Sequence, residues 1–205
     1  MGLYAKHLLP RLTHHVCGQK PAMKQREKII PQARGYVLEI GVGSGLNSPY
    51  SDPDRVNHLW GLDPSRDMWA IAQKNAESKH LDAEFIEAGA EEVPLENNSV
   101  DTVVMTYTLC TIPDPARALG EIRRVLKPGG KLLFCEHGEA PDESVRRWQQ
   151  RLDPVWGLFA GGCHLGRPIP GILEAAGLCS TDLQTMYIPG WKPGCFNYWG
   201  TAHPV

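Results

Sequence analysis

The chain predicts an α/β fold: a seven-stranded, mostly parallel sheet with helices on both faces, built as one domain from 205 residues. Three observations predict it. The run Val37-Leu38-Glu39-Ile40-Gly41-Val42-Gly43-Ser44-Gly45 joins an aliphatic, β-branched segment to alternating glycines, the form of a buried strand that turns sharply toward a ligand at its carboxyl end. Strand-like runs then alternate with helical stretches along the chain, as a doubly wound sheet requires. A hydrophobic content of 42% over 205 positions is enough for one buried core and asks for no second domain.

Residues 1–34 read as a basic arm. Up to Gly35, seven bases (Lys6, Arg11, Lys20, Lys24, Arg26, Lys28, Arg34) stand against one acid, Glu27, although the whole chain carries a net charge of −2. If residues 3–17 are helical, Leu8, Leu9, Leu12 and Val16 fall near one face, and Pro10 must start or bend that helix. Two uses compete: a lid that packs over a ligand pocket, the plainer reading, and an interfacial helix in peripheral contact with anionic lipid. A helix at 22–32 follows. Strands are expected near 36–42, 58–63, 83–87, 100–107 and 131–137, separated by helices near 65–79, 114–126 and 143–160. Residues 35–140 thus form a ligand-binding core. In 141–205, a short helix from Ile169 to Ala176 ends at Gly177, and strands near 182–188 and 195–203 complete the seven. The Gly- and Pro-rich stretches at 166–168 and 189–194 offer loops around a pocket mouth.

The glycine loop is a cradle for a nucleotide-like cofactor, with the next helix N-terminus facing it. A dinucleotide fingerprint would place its third glycine at 46, where this chain has Leu46, so NAD fits poorly. Glu39 adds a carboxylate beneath the loop that repels a pyrophosphate and welcomes a cationic, amino-acid-bearing ligand. The pattern E-x-G-x-G-x-G over Glu39, Gly41, Gly43 and Gly45 resembles motif I of the class I S-adenosylmethionine (SAM) methyltransferases, and further landmarks follow in that family's order. His58 to Asp63 reads as a second strand ending in an acid suited to the ribose hydroxyls, followed by Pro64 and Met68 on the cofactor wall. Glu87-Ala88-Gly89-Ala90-Glu91 ends the third, where the family reads adenine through Gly89, Ala90 and Glu91. Val100 to Met105 forms the fourth and delivers Thr106 and Tyr107 to the pocket, and Leu126-Lys127-Pro128-Gly129-Gly130 turns into the fifth. The resemblance implies a Rossmann-like class I methyltransferase fold with an antiparallel last strand, SAM as cofactor and S-adenosylhomocysteine as product.

Methyl transfer from a sulfonium is an in-line displacement, so the protein positions donor and acceptor, and a thiol or amine acceptor must first lose a proton. Candidate bases belong at the carboxyl ends of the central strands. The fourth strand brings Thr106, Tyr107, Thr108, Leu109 and Cys110 there, and the fifth brings Glu136 and His137. Cys110 and Cys135 read as small core residues. Glu136 beside His137 is costly unless paired or functional, and a structural hydrogen bond weighs about the same as proton transfer. Asp153 before Pro154 has a plain reading as a helix bend, and Cys163-His164 as loop. No compact ligand spacing indicates a metal. The six cysteines contain no C-x-x-C pair and follow no secretory signal, which points to a reducing cytoplasm, and no apolar run is long enough to span a bilayer.

Phe134-Cys135-Glu136-His137, Trp148-Gln149-Gln150, Leu152-Asp153-Pro154-Val155-Trp156 and Gly162-Cys163-His164-Leu165 with Arg167 resemble the microsomal alkyl-thiol S-methyltransferases of animals and their bacterial relatives. The chain departs from the animal proteins by lacking their long apolar N-terminal anchor. The resemblance implies a small or lipophilic thiol acceptor entering between the N-terminal helix and residues 148–167, with Glu136, His137 and Asp153 deprotonating or orienting it. The same half is also similar to enzymes that methylate quinone precursors or phosphatidylethanolamine. Two other classes are weighed: an NAD-dependent oxidoreductase, which would want a glycine in register and a Tyr-x-x-x-Lys pair, and a SAM-binding protein without catalysis. Nucleic acid is not an expected partner, because the acidic bulk of the domain repels phosphate.

Overall fold

Both faces of the central sheet are buried, which is why its strands read as nearly continuous apolar runs. The structure, a computed structural model, describes residues 8–205. Its strands are β1 (Gly35–Ile40), β2 (Val56–Asp63), β3 (Ala83–Glu87), β4 (Val100–Thr106), β5 (Leu126–His137), β6 (Leu178–Ser180), β7 (Gln184–Tyr187) and β8 (Phe196–Pro204). The order across the sheet is β3-β2-β1-β4-β5-β8-β6, with β7 also paired to β8. β1 to β5 run parallel, and β8 is antiparallel to β5, as expected.

Alternate residues of each strand face opposite layers. Leu38, Ile40, Val103, Met105, Leu132 and Phe134 join the cluster under α4 (Pro115–Val125) and α6 (Ile169–Ala175). Val37, Val104 and Leu133 point the other way, onto Ile29 of α2 (Lys20–Ile29) and Ala76 of α3 (Trp69–Glu77). α4 shows how these helices are specified. The Asp114 side chain accepts from Arg117 N at 3.0 Å, Pro115 occupies the first turn, and Ala118, Leu119, Ile122 and Val125 form one buried stripe.

The expected strand near 182–188 is β7, and a further short strand, β6, precedes it on the same edge, so the sheet has eight strands in seven positions. Ser180 pairs with Ala202 and Gln184 with Trp199. Between them Asp182 turns its carboxylate inward to accept from Thr201 N at 2.5 Å, which interrupts the ladder and separates β6 from β7 along a single edge.

α1 (Leu9–Cys17) carries Pro10 in its first turn, and residues 3–7 of the expected helix, with Lys6, lie outside the described residues. α5 (Glu143–Phe159) continues through Pro154. Among the described residues no helix is long and apolar enough to cross a membrane.

Candidate active site

The glycines after β1 hold backbone conformations that L side chains rarely adopt, with φ of +69° at Gly41, +49° at Gly43 and +71° at Gly45. A Cβ on Gly41 would lie 2.4 Å from the Thr108 side chain, so the loop can pack against the turn after β4 only without one. At Gly43 the nearest atoms to such a Cβ are 4.0 Å away, Asp63 Oδ2 and Gly41 O, which leaves an open face above the loop. Asp63 ends β2 beside that face. Its Oδ2 accepts from Gly43 N and its Oδ1 from Ser65 N, both at 2.9 Å, so its orientation is fixed. Burial raises its carboxyl above the ordinary range, against the lowering effect of those two bonds. Each oxygen keeps acceptor capacity for a sugar hydroxyl.

Around this cradle, Met68 and Ala90 are buried and Pro64 is exposed. Glu91 Oε1 accepts from Asp114 N at 3.2 Å and ties the segment after β3 to the start of α4, with Gly89 next to the same carboxylate. A glycine cradle with an open face and a fixed acid at the neighbouring strand end fits a nucleoside carrying a short side chain.

Glu39 lies beneath the loop as expected, but enclosed. It is only 3% exposed and accepts from Asn47 Nδ2 at 2.9 Å. Desolvation pushes its carboxyl up to about 7, while Arg26 and Asn47 pull the other way. Arg26, on α2, was not singled out by the sequence. Its buried guanidinium donates to Asn47 Oδ1 at 2.8 Å and to Thr106 Oγ1, and its centre stands 5.1 Å from the Tyr107 ring. Its Nε is buried without a partner among the described residues.

The turn after β4 is strained. Tyr107 has φ +53°, and its hydroxyl donates to Asn197 Oδ1 at 2.6 Å. Glu136 holds this turn in place: Thr108 N donates to its two oxygens at 2.9 and 3.1 Å, and Leu109 N to Oε1 at 3.1 Å. The carboxyl is fully buried, and desolvation pushes it up to about 7 despite these bonds. Asp153 performs a similar task on the loop after α5, where its Oδ2 contacts His164 Nδ1 at 2.7 Å and its Oδ1 accepts from Leu165 N at 2.5 Å. Gln149, also fully buried, accepts from Ala140 N and donates to Gly138 O, both at 2.9 Å.

These clamps bring together three side chains from separate segments. Cys163 Sγ lies 3.4 Å from His137 Nε2, and the donor atoms of Cys110, His137 and Cys163 all lie within 4.8 Å of one another. The Cys163 thiol is pulled well below the ordinary range, chiefly by its hydrogen bond with Cys110 and then by His137, while Cys110 moves up in response. Burial works to lower the His137 pKa, but the hydrogen bond and charge of Cys163 outweigh it and leave the imidazole raised. Its Nδ1 is buried without a partner among the described residues. Cys110 is buried, as expected of a core residue, and the fold places it beside Cys163 of the loop after α5. Of these residues, His137 at the end of the fifth strand and Cys163 in the Gly162-Cys163-His164-Leu165 run stood out in the sequence.

α1 spans this site. His14 Nδ1 contacts Ser44 Oγ in the glycine loop at 2.6 Å, and Leu9 sits where a Cβ on Gly161, beyond the end of α5, would lie 2.7 Å from its Cδ2. A cavity of about 430 Å³ opens between α5 and the 164–168 loop, lined in part by Asp153, His164 and Arg167.

The model of the methyltransferase domain family matches residues 38–134. Rat thiol S-methyltransferase TMT1B is 36% identical over 166 residues, 79% of this chain and 65% of that protein, so the chain spans just under two thirds of it. Human thiol S-methyltransferase TMT1A is 36% identical over 177 residues, 82% of this chain and 71% of that one. A demethylmenaquinone methyltransferase of Thermus thermophilus is 34% identical over 152 residues, 71% of this chain and 69% of that one. Among solved structures, a SAM-dependent methyltransferase of Thermotoga maritima, described as a possible histamine N-methyltransferase, shares the fold with a TM-score of 0.66 at 22% identity, covering 98% of this chain and 100% of that one.

Proposed function

The chain belongs to the class I SAM-dependent methyltransferases, and from that premise we propose that it methylates the sulfur of a small or lipophilic thiol. The observation that carries the thiol reading is the Cys110, His137 and Cys163 cluster beyond the carboxyl ends of β4 and β5, in a chain 36% identical to thiol S-methyltransferases. A thiol reacts as its thiolate, and a cluster of sulfur and imidazole donors is a surrounding in which an acceptor sulfur can be held as it loses its proton.

When bound, SAM supplies an electrophilic methyl group on a sulfonium. Asp63 would accept from the ribose hydroxyls, Gly41, Gly43 and Gly45 would let the backbone approach, and Ala90 and Glu91 would serve the base. Arg26, with its unpartnered Nε, is the positive charge available to the cofactor's carboxylate, and enclosed Glu39 supports the ammonium side through Asn47. Glu136 and Asp153 act as positioning residues: one holds the Tyr107 turn, the other presents the Cys163 loop.

α1 is the lid of this pocket, an assignment supported by the His14 to Ser44 contact. Its outward stripe of Leu8, Leu12 and Val16, each about half exposed beside Arg11, is the surface for peripheral contact with anionic lipid.

Release of S-adenosylhomocysteine, followed by mass spectrometry with hydrogen sulfide, alkyl thiols, quinols and phosphatidylethanolamine offered separately, tests the acceptor. Turnover of thiols is expected. The Thermus thermophilus relative favours a second reading, C-methylation of a quinol precursor. Turnover of quinols alone would establish that reading in place of the first.

A further inference from the structure

We propose that Cys110, His137 and Cys163 form a three-ligand site for a soft divalent cation of the Zn2+ class, with a fourth position open to the sulfur of the acceptor. Each residue offers one donor atom, and the three lie within 4.8 Å of one another. Bond lengths of about 2.3 Å to sulfur and 2.0–2.1 Å to nitrogen place tetrahedral S and N ligands about 3.6 Å apart. Cys163 Sγ and His137 Nε2 are 3.4 Å apart. Small side-chain movements therefore suffice to admit the cation.

The donors are held from outside the cluster. Cys110 follows directly on the turn that Glu136 clamps through Thr108 and Leu109. His137 is paired with Asn197 at the end of the β5–β8 ladder. The Cys163 loop is tied back through His164 N, which donates to Cys110 O at 2.9 Å, and through Asp153. With Nε2 on the cation, the imidazole keeps its proton on the buried, unpartnered Nδ1.

The charge balance and the ligand count point the same way. Two thiolates neutralise a divalent cation, which makes the ion tolerable among buried groups. Two cysteines and one histidine, with no fourth His, Cys, Asp or Glu in the group among the described residues, match zinc sites that keep a position for substrate rather than closed structural ones. At that position an acceptor R–S–H gives its proton to water while a sulfur lone pair forms the bond to the cation, with no change of oxidation state. Only this last assignment rests on the S-methylation reading above.

Titration of the reduced full chain with Co2+ tests the site without any variant. One equivalent per chain with thiolate-to-cobalt charge-transfer bands is expected. Cys163→Ser and Cys110→Ser should each weaken the metal more than about 100-fold, with folding checked by circular dichroism, whereas Cys179→Ser, exposed on β6, should bind as wild type does. Ethanethiol added without methyl donor should intensify the bands. Failure of the wild type to bind stoichiometrically, or unchanged affinity in folded Cys163→Ser, overturns the site. Bands that ignore ethanethiol overturn the fourth-position assignment. Bound metal together with no thiol turnover in the acceptor assay strikes the S-methylation reading and leaves the metal site standing.

Discussion

The guanidinium of Arg26 has two buried carboxyls within its electrostatic reach, Glu39 and Glu136, and desolvation still pushes each up to about 7. Between about pH 4.5 and 7 the folded chain holds protons on these groups that the unfolded chain has released, so their contribution makes stability fall as pH rises through that window. Below it both states are protonated and the contribution vanishes. Lowered Cys163 acts with the opposite sign above its folded pKa, so the test is a difference between proteins. Urea midpoints at pH 5 and pH 7.5 should fall further in wild type than in Glu136→Gln, which removes a pH-dependent loss of about 3 kcal/mol. Equal changes in the two proteins would show that Glu136 is ionised throughout. Gly41→Ala is the sharpest backbone probe. Its φ of +69° and the Thr108 side chain 2.4 Å from the added methyl should cost about 1–3 kcal/mol in unfolding measurements and weaken SAM binding with it.

At the scale of elements, the proposed lid, α1, is held with little burial. No residue of α1 is buried, and its ties to the site include one His14 contact and the packing of Leu9 against Gly161. Deleting residues 1–18 should leave the melting temperature nearly unchanged, weaken SAM about tenfold by calorimetry, a loss of about 1.4 kcal/mol, and abolish binding to anionic liposomes. Unchanged SAM affinity would remove the lid assignment, and unchanged liposome binding the lipid one. The expected elements matched the observed ones where their signal is periodic or capped. β3 occupies the anticipated 83–87, and α4 begins beside the Asp114-Pro115 pair that marks a helix start. β6 escaped notice because three residues carry no alternation to read, and Asp182 looked like part of a strand rather than its interruption.

Across the whole molecule, the parallel order β3-β2-β1-β4-β5 sets two half-sites along one sheet edge. The cofactor half comes from residues close behind β1, β2 and β3, so Gly41, Gly43, Gly45, Asp63 and Glu91 could be picked out one strand at a time. Arg26 of α2 joins that half only through folding, and the proposed acceptor half draws on the turn after β4, the end of β5 and the loop after α5. Arg26 looked like one base in a basic arm, and Cys110 and Cys163 like core and loop, because only folding brings them to Tyr107 and His137. Glu136 was visible as a costly residue and Asp153 as a neighbour of Pro154, but their bonds to Thr108 N and Leu165 N belong to tertiary structure. Everything in both half-sites depends on the cradle between Gly43 and Asp63 taking a sulfonium nucleoside. Isothermal titration of wild type and Asp63→Ala with SAM and with NAD tests this most directly. Saturable heat with SAM, none with NAD, and affinity at least about tenfold weaker in the variant are the expected results; binding of NAD instead, or an Asp63→Ala protein that takes SAM as tightly as wild type, would contradict the account.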